Sequence, residues 1–456
     1  AGLALLLPTI AQLASNGGSA LEKALENKQY KTADSLLQAE LAGFYASGRL
    51  DTIATYVTAA GTIAYEQYGA EKATTAVFRF IDTLEARKAS PRTLVKACRE
   101  AAEFFANNGQ NSEGFRSCEL ALDYAQELTE RKELEIAQCE YNLGVYAQRL
   151  ANYNLSQSHH RRSLLIRQTI KGATPEDLYA SFNAMGGIYW YASKYDSAAL
   201  CYTSALENVK KMPENDLNRL YRPAMIYNNL AALQSAEGKT SEGIRNTELT
   251  ISYFQQFIAT KDPHPKKKDA VSGLFAAIDN LAGMYKEVGD YGKAGDLLRY
   301  SYQEKLKRLN TGNPGIFISE ILIGQHYNSI HEYDSALIYL TRGLEKLEKA
   351  EGDYLFWAGD AHYNLAMVFA NRKETAKATY YYEKAEAYYD SSYQGDYDNI
   401  IMDFLRNAAI FYAKNNQPDK ALSRAKKVYA YLVKVGQAKS LQAFYQLLNL
   451  AEVSYL

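Results

Sequence analysis

The chain has 456 residues, with 51 basic and 52 acidic side chains and a formal net charge of −1 at pH 7. This balance argues against nucleic acid or anionic lipid as a general partner, because no overall field attracts either one. The four cysteines lack C-x-x-C and zinc spacings and the six histidines lack a metal motif, so we expect no metal and no cofactor.

The first segment, residues 1–14, is an apolar run that reads AGLALLLPTIAQLA. One interpretation is the remnant of a bacterial secretory signal, which would place the protein in the periplasm or outside the cell. The other is an amphipathic helix that caps the first repeat, which leaves a cytoplasmic location open. The run is too short to span a membrane, and we expect no span elsewhere.

Residues 15–436 repeat about every 42 residues, ten times over. One position of each repeat is small in all but the first repeat: Leu21, Gly61, Ala102, Gly144, Gly186, Ala231, Ala282, Gly324, Ala366 and Ala409. Twelve residues later every repeat has Ala, Gly or Ser: Ala33, Ala73, Gly114, Ser156, Ala198, Gly243, Ala294, Ala336, Ala378 and Ala421. Because antiparallel helices cross closely only where both surfaces are small, the pattern predicts ten helical hairpins.

The repeat pattern also predicts structural roles for several tyrosines, cysteines and histidines. A tyrosine recurs three residues before the second small residue, where the pattern predicts a turn: Tyr30, Tyr153, Tyr195, Tyr291 and Tyr333. Cys98 and Cys118 fall at facing positions of repeat 3, where either two free thiols or a disulfide would fit. His159 and His160, in the polar run HHRR, are expected to be solvated.

Residues 437–456 continue the register of the repeat, because Asn449-Leu450-Ala451 follows Asn407-Ala408-Ala409 by about 42 residues. We expect a C-terminal helix there, either the first helix of an eleventh repeat or a cap. The segment has many apolar residues, whereas a terminal cap usually has a polar outer face. This favours a parent chain that continues past Leu456.

The repeats resemble the tetratricopeptide repeat, whose first helix has an aromatic residue, Leu-Gly and Tyr, as in Tyr141-Asn142-Leu143-Gly144. A unit of about 42 residues is similar to the kinesin-light-chain-like class, which is also found in bacterial tetratricopeptide proteins. The resemblance implies an all-α fold, a right-handed α-α superhelix (solenoid) of about ten to eleven helix pairs. It also implies that the first helices line a concave face that binds peptides or partner helices.

Asparagine recurs on the predicted first helices, and a primary amide can bond both groups of a peptide unit. The alternative is that these asparagines belong to the repeat consensus and bond to neighbouring helices. The predicted peptide-binding residues are Asn142, Asn183, Asn229, Asn280, Asn364, Asn407, Tyr141, Trp190, Tyr191 and Lys286. We expect a partner segment to dock across repeats 4 to 7.

The chain contains no G-x-S-x-G, P-loop or dinucleotide motif, so we predict a protein that is not an enzyme. The predicted function is a protein-interaction scaffold for a partner protein or peptide. The alternative is the regulatory or sensing arm of a larger bacterial enzyme, such as a CHAT-type caspase-like protease, with a further domain downstream in the parent chain.

Overall fold

The computed structural model describes residues 19–393 and 399–434. These residues form α-helices joined by short turns, and no strand occurs among them. The expectations for residues 1–14 and 437–456 lie outside the described residues. The helices follow one another as ten pairs, numbered here as repeats 1 to 10.

The helix bounds follow the repeat pattern of the sequence. The first helices are α1 (Ala20–Glu26), α4 (Val57–Tyr68), α6 (Pro91–Asn107), α8 (Lys132–Arg149), α10 (Pro175–Tyr191), α12 (Arg222–Ala236), α14 (Lys267–Glu287), α16 (Pro314–Ser329), α18 (Leu355–Asn371) and α20 (Asn399–Lys414). The second helices are α2 (Tyr30–Ser47), α5 (Ala70–Ala86), α7 (Asn111–Gln126), α9 (Tyr153–Thr169), α11 (Tyr195–Val209), α13 (Thr240–Ala259), α15 (Tyr291–Arg308), α17 (Tyr333–Leu347), α19 (Thr375–Tyr393) and α21 (Pro418–Lys434). Repeat 2 begins with α3 (Leu50–Ile53) and a 3-10 turn at Ala54–Tyr56, and repeat 6 with a π-helical turn at Leu217–Tyr221.

Each hairpin turn contains one residue with positive φ. Four of these residues are glycine, and the other six have a side chain: Lys28, Gly69, Gly109, Ala151, Ser193, Gly238, Gly289, His331, Lys373 and Asn416. A left-handed residue ends a helix and reverses the chain within a few residues. The five predicted turn tyrosines are then the first residues of α2, α9, α11, α15 and α17, as the spacing required.

The small residues lie where the two helices of a pair meet. All ten first positions and all ten second positions are buried. A Cβ atom on Gly144 would lie 2.7 Å from the His160 ring, and one on Gly186 would lie 2.5 Å from the Tyr202 ring. Each glycine thus makes room for the large side chain that stands four residues after the second small residue. Close helix crossing is therefore confirmed.

The expectation that His160 is solvated is wrong, because its imidazole fills the space left by Gly144 and has no exposed surface. The neighbouring His159 is partly buried, and its Nδ1 atom lies 2.6 Å from Oε2 of Glu140. The polar run HHRR therefore contains one core residue. Its fourth member, Arg162, keeps an exposed side chain.

The helices group into two compact units, an N-terminal unit (residues 1–233) and a C-terminal unit (residues 234–456). The N-terminal unit has a core that includes Phe104 and Phe105, and the C-terminal unit has cores around Leu340 and Phe404. Each unit therefore buries its own apolar residues, as stacked repeats do.

A buried cation joins successive repeats in each unit. Arg167 at the end of α9 donates to Gln138 Oε1 of α8 (2.7 Å) and to Ser181 Oγ of α10 (2.8 Å). Lys305 at the end of α15 donates to Asp279 Oδ2 of α14 (2.6 Å) and to Ser319 Oγ of α16 (2.8 Å). Both cations stand eleven residues after the second small residue, so the same contact recurs at the same repeat position.

Candidate partner-binding surface

The six predicted asparagines all lie on first helices. Asn142, Asn183 and Asn229 belong to α8, α10 and α12 of the N-terminal unit, together with Tyr141, Trp190 and Tyr191. Asn280, Asn364 and Asn407 belong to α14, α18 and α20 of the C-terminal unit, together with Lys286. The structure therefore divides the predicted site residues between the two units.

In the N-terminal unit the amides bond to each other, across adjacent repeats in one case and within α8 in the other. Asn229 Nδ2 donates to Asn183 Oδ1 over 3.1 Å, and Gln138 Nε2 donates to Asn142 Oδ1 over 2.9 Å. The Asn183–Asn229 bond fits the alternative that these asparagines join neighbouring helices. A primary amide has two donor hydrogens and two acceptor lone pairs, so the Asn183–Asn229 pair keeps capacity for a further partner. Both side chains are only partly buried.

Residues of α10 form a stripe on one side of the helix. Ala180, Asn183, Gly187 and Trp190 follow at spacings of three, four and three, which places them on one face. All four are partly exposed. Small residues on either side of Asn183 leave its amide open to the backbone of another chain.

An aromatic patch, Tyr153, Trp190 and Tyr191, lies at the end of this stripe. Tyr191 is 48% exposed and Tyr153 is 43% exposed, and their rings stack with centroids 5.1 Å apart. The Trp190 ring stands edge-on to Tyr191 at 5.0 Å, and its indole N–H is buried without an acceptor among the described residues. The sequence analysis assigned Tyr153 only to a turn. Its position at the start of α9, which follows from the repeat register, was the available signal that it lies at the edge of the helix pair.

Tyr141 and Tyr179 each lie beside a buried arginine. Both side chains are reached by solvent, yet burial raises the pKa of each phenol, with Arg167 acting against this at Tyr141 and Arg222 at Tyr179. The guanidinium groups stand over the rings, Arg167 over Tyr141 at 5.1 Å and Arg222 over Tyr179 at 5.2 Å. Tyr179 was not among the predicted site residues.

The predicted residues of the C-terminal unit have different surroundings. Asn280 is exposed and forms no side-chain hydrogen bond with another described residue. Asn364 Nδ2 donates to the carbonyl oxygen of Asp360 over 2.9 Å, and Asn407 Nδ2 donates to Tyr363 Oη over 2.6 Å. Lys286 is partly buried on α14. Here too, most of the asparagines bond within the protein.

The described residues contain no group of three potential metal ligands. Cys98 and Cys118 are buried free thiols, which removes the disulfide alternative. Burial raises the pKa of all four cysteines, to about 12 for Cys139 and about 11 for Cys201, so the thiols stay protonated near neutral pH. None of them is activated as a nucleophile. Within the described ranges, no helix combines the length and the apolar character that a bilayer crossing requires.

No family model and no curated protein sequence matches this chain. Solved structures do match it. The apo form of the quorum sensor NprR from B. thuringiensis has a TM-score of 0.54 at 14% identity, covering 81% of this chain and 96% of that chain. Aspartyl phosphate phosphatase F from Bacillus subtilis has a TM-score of 0.53 at 13% identity, covering 86% of this chain and 94% of that chain.

A tetratricopeptide repeat protein from Parabacteroides merdae also aligns, with a TM-score of 0.42 at 12% identity over 64% of this chain and 92% of that chain. At such identities the likeness concerns the fold. The chain shares with the first two structures an all-helical fold, built here from consecutive helix pairs as the small-residue pattern predicts.

Proposed function

We propose that this protein is a non-catalytic interaction scaffold that binds an extended polypeptide segment along the first helices of repeats 4 to 6. The observation that carries the proposal is the buried indole N–H of Trp190, which has no acceptor among the described residues. Buried Trp N–H groups normally have a hydrogen-bond partner, and an unpaired buried donor costs about 1–3 kcal/mol. A carbonyl group of a bound peptide would satisfy this donor once the side chains that cover the indole N–H move aside on binding.

The surroundings of Trp190 support a peptide as the ligand. Tyr153 and Tyr191 expose apolar ring surface beside the indole, and aromatic residues are enriched in protein interfaces. Asn183 lies on α10 with Trp190, and its partner Asn229 lies on α12. The pair offers amide groups that can bond a peptide backbone whatever its side chains are. Aromatic anchors next to backbone-directed amides favour an extended segment.

The test begins with a random library of twelve-residue peptides selected on the full chain, followed by fluorescence anisotropy of the best synthetic peptide. Trp190→Phe keeps the apolar ring and removes only the N–H, and we expect about tenfold weaker binding. Asn183→Ala combined with Asn229→Ala should weaken binding by a similar factor. Trp357→Phe in the C-terminal unit and Asn154→Ala on α9 are the matched controls.

Both controls should bind like the unmodified chain. If the selected peptide binds the Trp190 variant and the double Asn variant with unchanged affinity, the proposed surface is wrong.

The predicted contacts of the C-terminal unit remain predictions, and alanine variants of each residue in the same assay would test them: Asn280, Asn364, Asn407 and Lys286. The alternative of a regulatory arm also remains a prediction, tested by sequencing the native gene beyond the codon for Leu456.

A further inference from the structure

A second group of polar side chains lies on adjacent first helices of the C-terminal unit. Gln325 and Asn328 are about one turn apart on α16, and Asp360 and Asn364 are one turn apart on α18. Gln325 Nε2 donates to Asp360 Oδ2, and Asn328 Nδ2 lies 3.4 Å from Asn364 Oδ1. These four residues are called the polar ribbon.

The polar ribbon contains a carboxylate that forms no ion pair with a described residue. Asp360 is partly exposed, and no Lys, Arg or His of the described residues lies within ion-pair distance of it. Within the described part of the chain, its carboxyl oxygens bond the Gln325 amide and, at 3.4 Å, the Tyr389 hydroxyl. A desolvated carboxylate with no cation loses much of its hydration without compensation.

Glu320 on α16 is a second carboxylate of the same unit, and it is paired with cations. Glu320 is fully buried, and its oxygens lie 2.9 Å from Arg342 Nε and 3.0 Å from Lys346 Nζ. The Tyr302 hydroxyl donates to it as well, over 3.0 Å. The two carboxylates are on neighbouring first helices, and of the two only Glu320 has a cationic partner among the described residues. The interhelical bonds of Asp360 to neutral groups leave its charge without such a partner.

Two further observations favour a cationic ligand at the polar ribbon. Desolvation raises the pKa of Asp360 to about 6, although the Gln325 amide, the charge of Lys286 and the Tyr389 hydroxyl all act in the opposite direction. Asn328 is only 5% exposed, and its Oδ1 atom has no hydrogen-bond donor among the described residues. The polar ribbon thus has unused acceptor capacity both at a charged group and at a neighbouring neutral one.

We propose that the polar ribbon accepts a lysine or arginine side chain of a partner polypeptide, with Asp360 as the charged acceptor. A lysine or arginine side chain has the charge opposite to that of the Asp360 carboxylate. The charge-assisted hydrogen bond between them would be about twice as strong as a neutral one. Tyr363, one turn from Asp360 and partly exposed, adds an aromatic surface beside which a cation is stable. This site lies in the C-terminal unit and is additional to the surface proposed around Trp190.

The test selects a random twelve-residue peptide library in parallel on the full chain and on its Asp360→Asn variant. Asparagine keeps the shape of the side chain and an acceptor for Gln325, and it removes the charge. We expect the pool from the unmodified chain to be enriched in Lys or Arg at one position by at least about tenfold over the Asp360→Asn pool. Asp403→Asn, which removes an exposed acid of α20, is the matched control and should keep the enrichment.

A synthetic peptide from the enriched pool should bind the Asp360→Asn chain at least about tenfold more weakly, and replacing its Lys or Arg by Gln should cause a similar loss. Equal enrichment in both pools, or a pool without basic residues, overturns the proposal. The Trp190→Phe chain should keep the basic preference, which separates this site from the surface proposed above. If Trp190→Phe abolishes that preference, the cation binds elsewhere and the proposal fails.

Thermal melting distinguishes binding from a structural role. Because Asp360 is an unbalanced desolvated charge, Asp360→Asn should melt at the same temperature as the unmodified chain or at a higher one. A clear drop in melting temperature together with unchanged peptide selection would assign Asp360 to the core and contradict the proposal.

Discussion

Gly186 and Gly187 are neighbours in α10, yet only one of them needs to be glycine. A Cβ atom on Gly186 would overlap the ring of Tyr202, whereas one on Gly187 would meet only the Tyr202 hydroxyl at an ordinary 3.9 Å. Tyr202 is itself buried, so its ring has little room to move. The two positions therefore separate the cost of close helix packing from the intrinsic preference of a helix for alanine.

Gly186→Ala should lower the free energy of unfolding by about 1–3 kcal/mol, because it overpacks the helix crossing. Gly187→Ala should raise it by about 0.5–1 kcal/mol, since alanine favours the helix and meets no obstacle. Urea denaturation of the two single variants measures both changes. Equal changes in the free energy of unfolding would show that the two helices at Gly186 are farther apart than in the structure.

His160 makes the stability of the N-terminal unit sensitive to acid. Burial, with the charges of His159 and Arg167, lowers the pKa of His160 to about 3, whereas an unfolded histidine has a pKa of about 6.5. The unfolded chain therefore binds a proton that the folded chain excludes between these pH values. Stability is lost as the pH falls below about 6.5, and by pH 5 this one residue costs about 2 kcal/mol.

His160→Leu should consequently show a shallower decline in melting temperature between pH 7 and pH 5 than the unmodified chain. The exposed His331, changed to Gln, serves as the control and should not alter that decline. A His160→Leu chain with the same pH dependence as the parent would mean that His160 becomes protonated without unfolding.

At the level of elements, the repeat register predicted the helix pairs, their turns and the buried small residues. These features depend on spacing along one chain, and a period of about 42 residues fixes that spacing. The polar contacts between helices were not predicted, including those of Arg167, Lys305 and the Asn183–Asn229 pair. Such contacts depend on the angle and offset at which adjacent helices pack, and spacing along the chain does not determine either one.

Arg167 is an element-scale example with a measurable effect. Its guanidinium lies 3.4 Å from Asp177 Oδ1 and bonds side chains of both α8 and α10, so it links three helices. Arg167→Met should lower the free energy of unfolding by about 3 kcal/mol, because it leaves its polar partners unpaired. The exposed Arg161→Met on the same helix should change it by less than about 0.5 kcal/mol. If chemical denaturation gives similar changes in the free energy of unfolding for Arg167→Met and Arg161→Met, the linking role of Arg167 is contradicted.

For the whole molecule, the sequence predicted the fold and the helices on which candidate binding residues lie. It did not indicate that, among the described residues, the Trp190 N–H has no acceptor and Asp360 has no ion-pair partner, since both statements concern neighbours that the pattern does not specify. The sequence also does not identify the partner, because the chain contains only its own residues of the contact. The two units then present different chemistry, aromatic and amide groups around Trp190 and a charged acceptor at Asp360.

The measurement that tests the central claim most directly is amide hydrogen exchange of the full chain with and without a peptide selected from the library. If the first helices of repeats 4 to 6 bind the peptide, exchange should slow in α8, α10 and α12, while the facing second helices α9 and α11 change little. Protection confined to α9 and α11, or protection of neither set while the peptide is bound, would contradict the account.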